Sequence, residues 1–345
     1  MMKSSRNNFS IEEWGENREK VNSAVRGGPL KIESYAANDR PPAGYDPDIA
    51  CFLEEIYTVC NRFERLELDP LAVVRRYSAP GDIEVAGLVC STLAFGSVEL
   101  IMRACETALE PLGAQPAEAL CRMNQGDIER VWGSFQYRFC FPKDMIALMW
   151  AIRKALREYG SLETLFMKGN GGLMLGAASA EGLQHVSYES IVPATSRFVR
   201  QLREWAREAL PSGLRKNLLP DPADGSASKR LFLFLRWMVR RDEIDPGCWN
   251  QVNPARLIVP MDTHMIRTCA ERLRFLPGRT ATAGGGAGGT GVPKSMASSS
   301  INLRAALRVT EAFRLYAPDD PVKYDFALTR PGIDPRPGDE RFGCR

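Results

Sequence analysis

The sequence predicts an all-α fold, and three observations carry that expectation. No segment alternates apolar and polar residues for long enough to make a half-buried strand. Apolar side chains instead recur at three- and four-residue spacing, as in Ile49, Phe52, Leu53, Ile56 and Val59, and again in Met265, Ile266, Cys269 and Leu273. Helix starts are marked by Asp69-Pro70, by Asp320-Pro321 and by Asp262 two residues after Pro260, because aspartate is a good N-cap and proline is tolerated in the first turn.

Taken in order, residues 1–45 hold Gly27-Gly28-Pro29, Pro41-Pro42 and many polar side chains, and are expected to form a loose arm. The ordered fold, a single domain over 46–333, opens with a helix from about Asp46 to Phe63, followed by a short helix after Asp69. Pro80-Gly81-Asp82 breaks the chain before a nearly continuous apolar run from Ile83 to Phe95. That run reads as the central buried helix, with Gly87 permitting close approach of a neighbour. Phe95-Gly96-Ser97 turns the chain into a helix near 98–112, and further helices follow near 115–123, 126–133 and 143–158. The link Trp132–Phe141 is rich in aromatics, which suit either base stacking or the pinning of a loop to the core. Lys168-Gly-Asn-Gly-Gly has neither a Lys-Ser/Thr ending nor a preceding strand, so it is not a nucleotide-binding loop. A helix at 188–209 leads to the central pair. Residues 278–300 are glycine-rich and too poor in apolar side chains to pack, which marks a flexible insertion. Helices near 301–316 and 321–328 precede a tail at 334–345.

Composition excludes several classes. The chain is 44% hydrophobic and 25% charged with a net charge of only +3, an ordinary globular balance that is not polycationic. Nine cysteines lie singly, without a Cys-x-x-Cys pair or a secretory leader, so reduced thiols in an intracellular protein, cytoplasmic, nucleoid or nuclear, are expected. No apolar run is long enough to span a bilayer, and a monomer with no membrane partner is expected. The charge is unevenly spread: residues 196–241 hold eleven Lys or Arg against four Asp or Glu, a patch that suits a phosphate backbone or a solvated helix face.

Two helices near the C-terminal third hold the residues richest in chemistry. The first is expected to start at Ser226 or Ser228 as N-cap and run to about Arg241. On a helical wheel Leu231, Phe232, Phe234, Leu235, Met238 and Val239 fill one apolar arc, while Lys229, Arg236 and Arg240 share a stripe opposite. Lys229 falls in the first turn, where the helix dipole opposes its charge by about 0.3–1 kcal/mol, an odd place for a structural lysine. The second helix starts at Asp262, which capping alone would explain. Asp262 and His264 also suggest half of a metal site, but only His185 and His264 exist in the chain, and no metal is expected.

The stretch Leu257-Ile-Val-Pro-Met-Asp-Thr-His-Met-Ile-Arg-Thr-Cys-Ala-Glu-Arg-Leu resembles the segment of helix-hairpin-helix DNA glycosylases in which an apolar, proline-containing loop delivers a catalytic aspartate. Gly225-Ser-Ala-Ser-Lys-Arg is similar to the place where bifunctional members carry a Schiff-base lysine. The spacing of 33 residues between Lys229 and Asp262 is similar to that of archaeal 8-oxoguanine glycosylases. Along most of residues 50–333 the chain also resembles an uncharacterised family, a domain of unknown function. The stretches that carry this second likeness are Ser228–Arg241, Val259–His264 and Asp320–Leu328.

The glycosylase resemblance implies a two-lobed helical fold with a cleft, a damaged-DNA partner, and Lys229 and Asp262 as catalytic residues. Arg230, Arg236 and Arg240 in the basic patch, with Arg267, become DNA-binding candidates, and Phe95 and Ser97 by the same likeness, with Arg138 and His264, base-pocket candidates. Two departures stand beside it. The glycosylase hairpin, with two glycines after Leu-Pro, is replaced by Leu219-Pro-Asp-Pro-Ala-Asp-Gly, which has only Gly225. Only Cys269 and Cys344 lie beyond Asp262, too few for an iron–sulfur cluster, so no cofactor is expected. A non-catalytic nucleic-acid-binding protein on the same scaffold remains the alternative expectation.

Overall fold

A computed structural model describes residues 44–168, 191–276 and 302–342. The expected arm up to Ala43, the glycine-rich stretch after Lys168, the expected start of the next helix at 188–190 and the insertion at 278–300 lie outside the described residues. Within them the protein is helical, with three isolated β-bridges and no strand, so the all-α expectation holds. No described helix is long and apolar enough to cross a membrane.

The helices are α1 (Pro47–Cys60), α2 (Leu71–Val74), α3 (Pro80–Leu93), α4 (Val98–Leu109), α5 (Pro116–Arg122), α6 (Gln125–Trp132), α7 (Pro142–Tyr159), α8 (Leu162–Met167), α9 (Ile191–Ala209), α10 (Lys229–Val239), α11 (Thr263–Arg267), α12 (Leu303–Arg314) and α13 (Asp325–Ile333). Starts follow the local chemistry. The Asp46 carboxylate accepts from the Asp48 amide to cap α1, Asn124 and Asp127 form a reciprocal capping box on α6, and prolines open α1, α3, α5 and α7.

Packing pairs α3 with α4, α5 and α10, and α7 with α9, α6 and α5, while α13 lies on α1 and α11. Every residue of α3 from Asp82 to Leu93 is buried, as a central helix requires. Gly87 is where α10 comes closest: a Cβ there would lie 2.5 Å from the Met238 methyl. A side chain at that point would push the two helices apart.

Two expectations need correction. Asp320-Pro321 does not open the last helix; α13 begins at Asp325, and the Asp320 carboxylate is engaged by Arg240 at 2.9 Å. Nor does a serine side chain cap α10. Ser228 occupies the cap position with φ +43°, and no helix amide bonds to its hydroxyl. The tail, for its part, is anchored as far as residue 342. Phe342 is buried, and Asp339 accepts from both terminal nitrogens of Arg65 at 2.7–2.8 Å, which ties the tail to the segment just after α1.

Candidate active site

The apolar face of α10 fixes its position. Leu231, Phe232, Phe234, Leu235, Met238 and Val239 are all buried, which leaves Lys229 in the first turn as the partly exposed member of the stripe opposite. The chain enters α10 through a tight bend, in which the Ser228 amide donates to Ser226 Oγ at 3.1 Å and Ser228 itself adopts the left-handed conformation. A buried, non-glycine residue in that conformation is costly and persists only where its surroundings hold it. Here it forms the bend by which the chain enters α10 just before Lys229.

Asp262 arrives from a different direction. Leu257, Ile258, Val259 and Met261 are all buried, and the Val259 amide donates to Thr310 Oγ1 on α12 at 3.0 Å, so the loop is drawn into the core and emerges at Asp262. Asp262 then does two things with its two oxygens. Oδ1 accepts from the Met265 amide at 2.7 Å and caps α11, while Oδ2 lies 3.5 Å from Lys229 Nζ. The lysine side chain is 36% exposed and the aspartate 17%. Two residues 33 positions apart therefore meet at the edge of the fold, a lysine amine and a carboxyl group oriented by its cap.

Arg236 and Arg240 do not extend this stripe to solvent, and their expected role in binding DNA is corrected. Arg236 is 3% exposed and donates to Asp325 at 2.6 Å and Asp245 at 3.0 Å. Arg240 is equally buried between Asp245, Asp242 and Asp320. A wheel that places them opposite the apolar arc is right about direction, but α13 and the segments at 242–245 and 320 cover that side with carboxylates. Nearby, Arg330 pairs with Asp69 at 2.9 Å. The buried Asp245, Asp325 and Arg330 are the residues that sequence reasoning missed, and the partly exposed Asp320, read only as a helix start, is the one whose role it misassigned. The one available signal was the pair of aspartates inside Asp320–Leu328.

Asp325 links this buried network to the pair above it. Burial pushes its carboxyl above the usual carboxylate range. Arg236 opposes that shift, Asp262 adds to it, and Lys229 opposes it more weakly.

The pocket candidates separate. Phe95 stacks on Phe139 with centroids 4.1 Å apart, lies 5.0 Å from the Tyr137 ring, and carries the Arg230 guanidinium 5.0 Å above its own. Arg138 is exposed at the tip of a tight turn closed by the Tyr137–Cys140 bridge, with φ +50°. Its side chain runs close over Gly96, where a Cβ would lie 3.3 Å from Cδ and Nη1. Phe95, Arg138 and Arg230 thus gather around one turn. Ser97 is exposed at the start of α4 and its hydroxyl caps nothing. His264 packs instead against α13, where its ring occupies the space that a Cβ on Gly332 would need. Arg267 is exposed and paired with Glu271 at 3.2 Å.

The loop that replaces the glycosylase hairpin spends its amides internally. Ala223 N donates to Asp221 Oδ1, Asp224 N to Asp221 O and Gly225 N to Pro222 O, while Arg200 holds the other Asp221 oxygen. Those three amides are not offered to a phosphate. Among the described residues no group of three or more His, Cys, Asp or Glu is placed to hold a metal ion. Compared with known proteins, residues 69–334 match a family described as "Protein of unknown function (DUF2400)". No curated protein and no solved structure matches the chain.

Proposed function

The chain belongs to the DUF2400 family, and from the meeting of Lys229 with Asp262 we propose that it removes a damaged base from DNA through a lysine Schiff base. The base is flipped out of the stack, which brings the sugar C1′ to the lysine. The free amine of Lys229 attacks C1′ as the bond to the base breaks, and the base departs with the electron pair of that bond. Ring opening then gives an imine between Nζ and C1′, from which loss of a proton at C2′ expels the 3′ phosphate. Asp262 stabilises the positive charge that develops on the sugar and accepts a proton from the attacking amine.

The observation that carries this reading is the 3.5 Å separation of Nζ from Oδ2, with Oδ1 committed to the α11 cap. A cap alone needs one oxygen and no lysine. The likeness of the Lys229 and Asp262 stretches to the glycosylase motifs supports the same assignment.

Borohydride trapping tests it, using duplex and single-stranded oligonucleotides that contain 8-oxoguanine, uracil or an abasic site. The wild type should give a covalent adduct that Lys229→Ala abolishes. Asp262→Asn, which keeps a good N-cap, should fold normally yet excise the base at least a hundredfold more slowly. Binding of DNA without any adduct would favour the non-catalytic nucleic-acid-binding alternative, and excision that survives both substitutions would remove the mechanism.

A further inference from the structure

Arg230 is short of a counter-ion. The four fully buried arginines among the described residues each meet a carboxylate: Arg65 meets Asp339, Arg236 meets Asp245 and Asp325, Arg240 meets Asp245 and Asp320, and Arg330 meets Asp69. Arg230 has no ion-pair partner among the described residues. Its Nη1 donates to the Thr92 carbonyl at 2.5 Å, its Nη2 to the Asn217 carbonyl, and its plane lies on Phe95. Two carbonyls and an aromatic face orient a guanidinium but leave its charge uncompensated, and burial accordingly pulls it down to about 10.

The surroundings share this imbalance. Arg138, exposed across the Phe95-Gly96 turn, has no carboxylate partner among the described residues either, and it is held in a left-handed conformation that a non-glycine residue adopts only at a cost. Arg215 stacks on Phe141 at 4.2 Å and pairs with Asp144, whose Oδ2 also accepts from the Phe141 amide. The Cys140 thiol, pushed up by burial, feels both Arg230 and Arg215 acting the other way. In this cluster Asp144 is the one described carboxylate. Arg230 itself is one residue along α10 from Lys229, while the Ala223, Asp224 and Gly225 amides of the neighbouring loop are spent internally.

We infer that Arg230 and Arg138 form a phosphate-binding subsite beside Lys229, in which a substrate phosphate provides the counter-ion that the protein withholds. The inference rests on the nucleic-acid reading above for the identity of the substrate, but not for the existence of the site. Arg230 donates from a fixed plane, because Phe95 and the two carbonyls set its rotamer. Arg138, whose side chain runs over Gly96 next to Phe95, supplies the second guanidinium at the same turn. Phosphate held here would fix the nucleotide's register relative to the lysine, whichever base is attacked.

The experiment has two arms, each on the full chain. In the first, the dissociation constant of a duplex 20-mer with one tetrahydrofuran abasic site is measured from about 50 to 300 mM NaCl. Arg230→Gln and Arg138→Gln should each weaken binding about tenfold and reduce the log–log salt slope by about 0.9, the value for a single phosphate no longer neutralised. In the second, inorganic phosphate alone should raise the melting temperature of the wild type and not that of Arg230→Gln. If Arg230→Gln does not fold, Arg138→Gln, at an exposed position, carries both arms. Unchanged salt slopes in folded variants, or equal stabilisation of variants and wild type by phosphate, would overturn the subsite. Phosphate stabilisation that needs Arg230 in a protein that does not bind the duplex would keep the subsite and reject the nucleic-acid reading. A wild type that responds to neither probe overturns both.

Discussion

Replacing Arg236 by methionine discriminates between a solvent-facing basic seam and a buried charge network. Arg236 holds Asp325 at 2.6 Å and Asp245 at 3.0 Å, and the three side chains are 3%, 6% and 0% exposed. Asp245 would retain Arg240, whereas Asp325 would be left with no ion-pair partner among the described residues. Removing one member of a buried ion pair costs about 3–5 kcal/mol, because the survivor is left desolvated and uncompensated. At about 2–4 °C per kcal/mol for a protein somewhat smaller than this one, the melting temperature should fall by about 6–20 °C. Pairing the change with Asp325→Leu removes both charges and should recover most of the loss, since an apolar replacement of a whole buried pair is often neutral. Thermal and urea unfolding of the two single variants and the double variant measure the coupling directly. A fall below about 2 °C for Arg236→Met, together with weakened DNA binding, would refute the buried assignment and return Arg236 to the DNA-facing stripe.

Burial at two other points is open to the same kind of test. Glu84 accepts from the Leu162 and Glu163 amides at 2.9 and 2.8 Å and from the Trp249 indole at 2.7 Å, and burial pushes its carboxyl up to about 7 against those three bonds. The folded state therefore keeps a proton that the unfolded chain loses near 4.5. The stability this group contributes is full below about pH 4.5 and is lost as pH rises through about 7. Relative to Glu84→Gln, the wild type should lose roughly 3 kcal/mol across that window in urea unfolding, and a difference that is flat with pH would contradict the assignment. Gly332→Ala reverses the usual helix preference. Alanine ordinarily stabilises a helix over glycine by up to about 1 kcal/mol, but here its Cβ would lie 2.5 Å from His264 Nδ1. A destabilisation of about 1–3 kcal/mol by calorimetry is expected from the overpacking. It should disappear in a His264→Ala background, and a loss of the same size there would show that the histidine ring is not its cause.

Much of this protein was legible from local chemistry alone. Helix formation depends on spacing, caps and prolines within a few residues, so the all-α class, the buried run from Ile83 and the capping role of Asp262 could be read directly. Lys229 stands out by its place in a first turn, whereas Asp262, which capping alone explains, stands out only through the likeness of its stretch to the glycosylase motif. What one dimension could not supply was the partner of each charge. A wheel shows that Arg236 and Arg240 point away from the apolar arc. It cannot show that α13 and the turn at 242–245 close over them with aspartates, nor that Asp320 serves Arg240 when its sequence reads as a helix start. Arg230, flagged beside them on charge alone, is the member of that group left without a carboxylate. The sequence by itself determined which segments are helices and which side chains carry charge. Only the tertiary structure decided which charges cancel, because ion pairing between residues 80 or 90 positions apart depends on where the packed helices bring their ends.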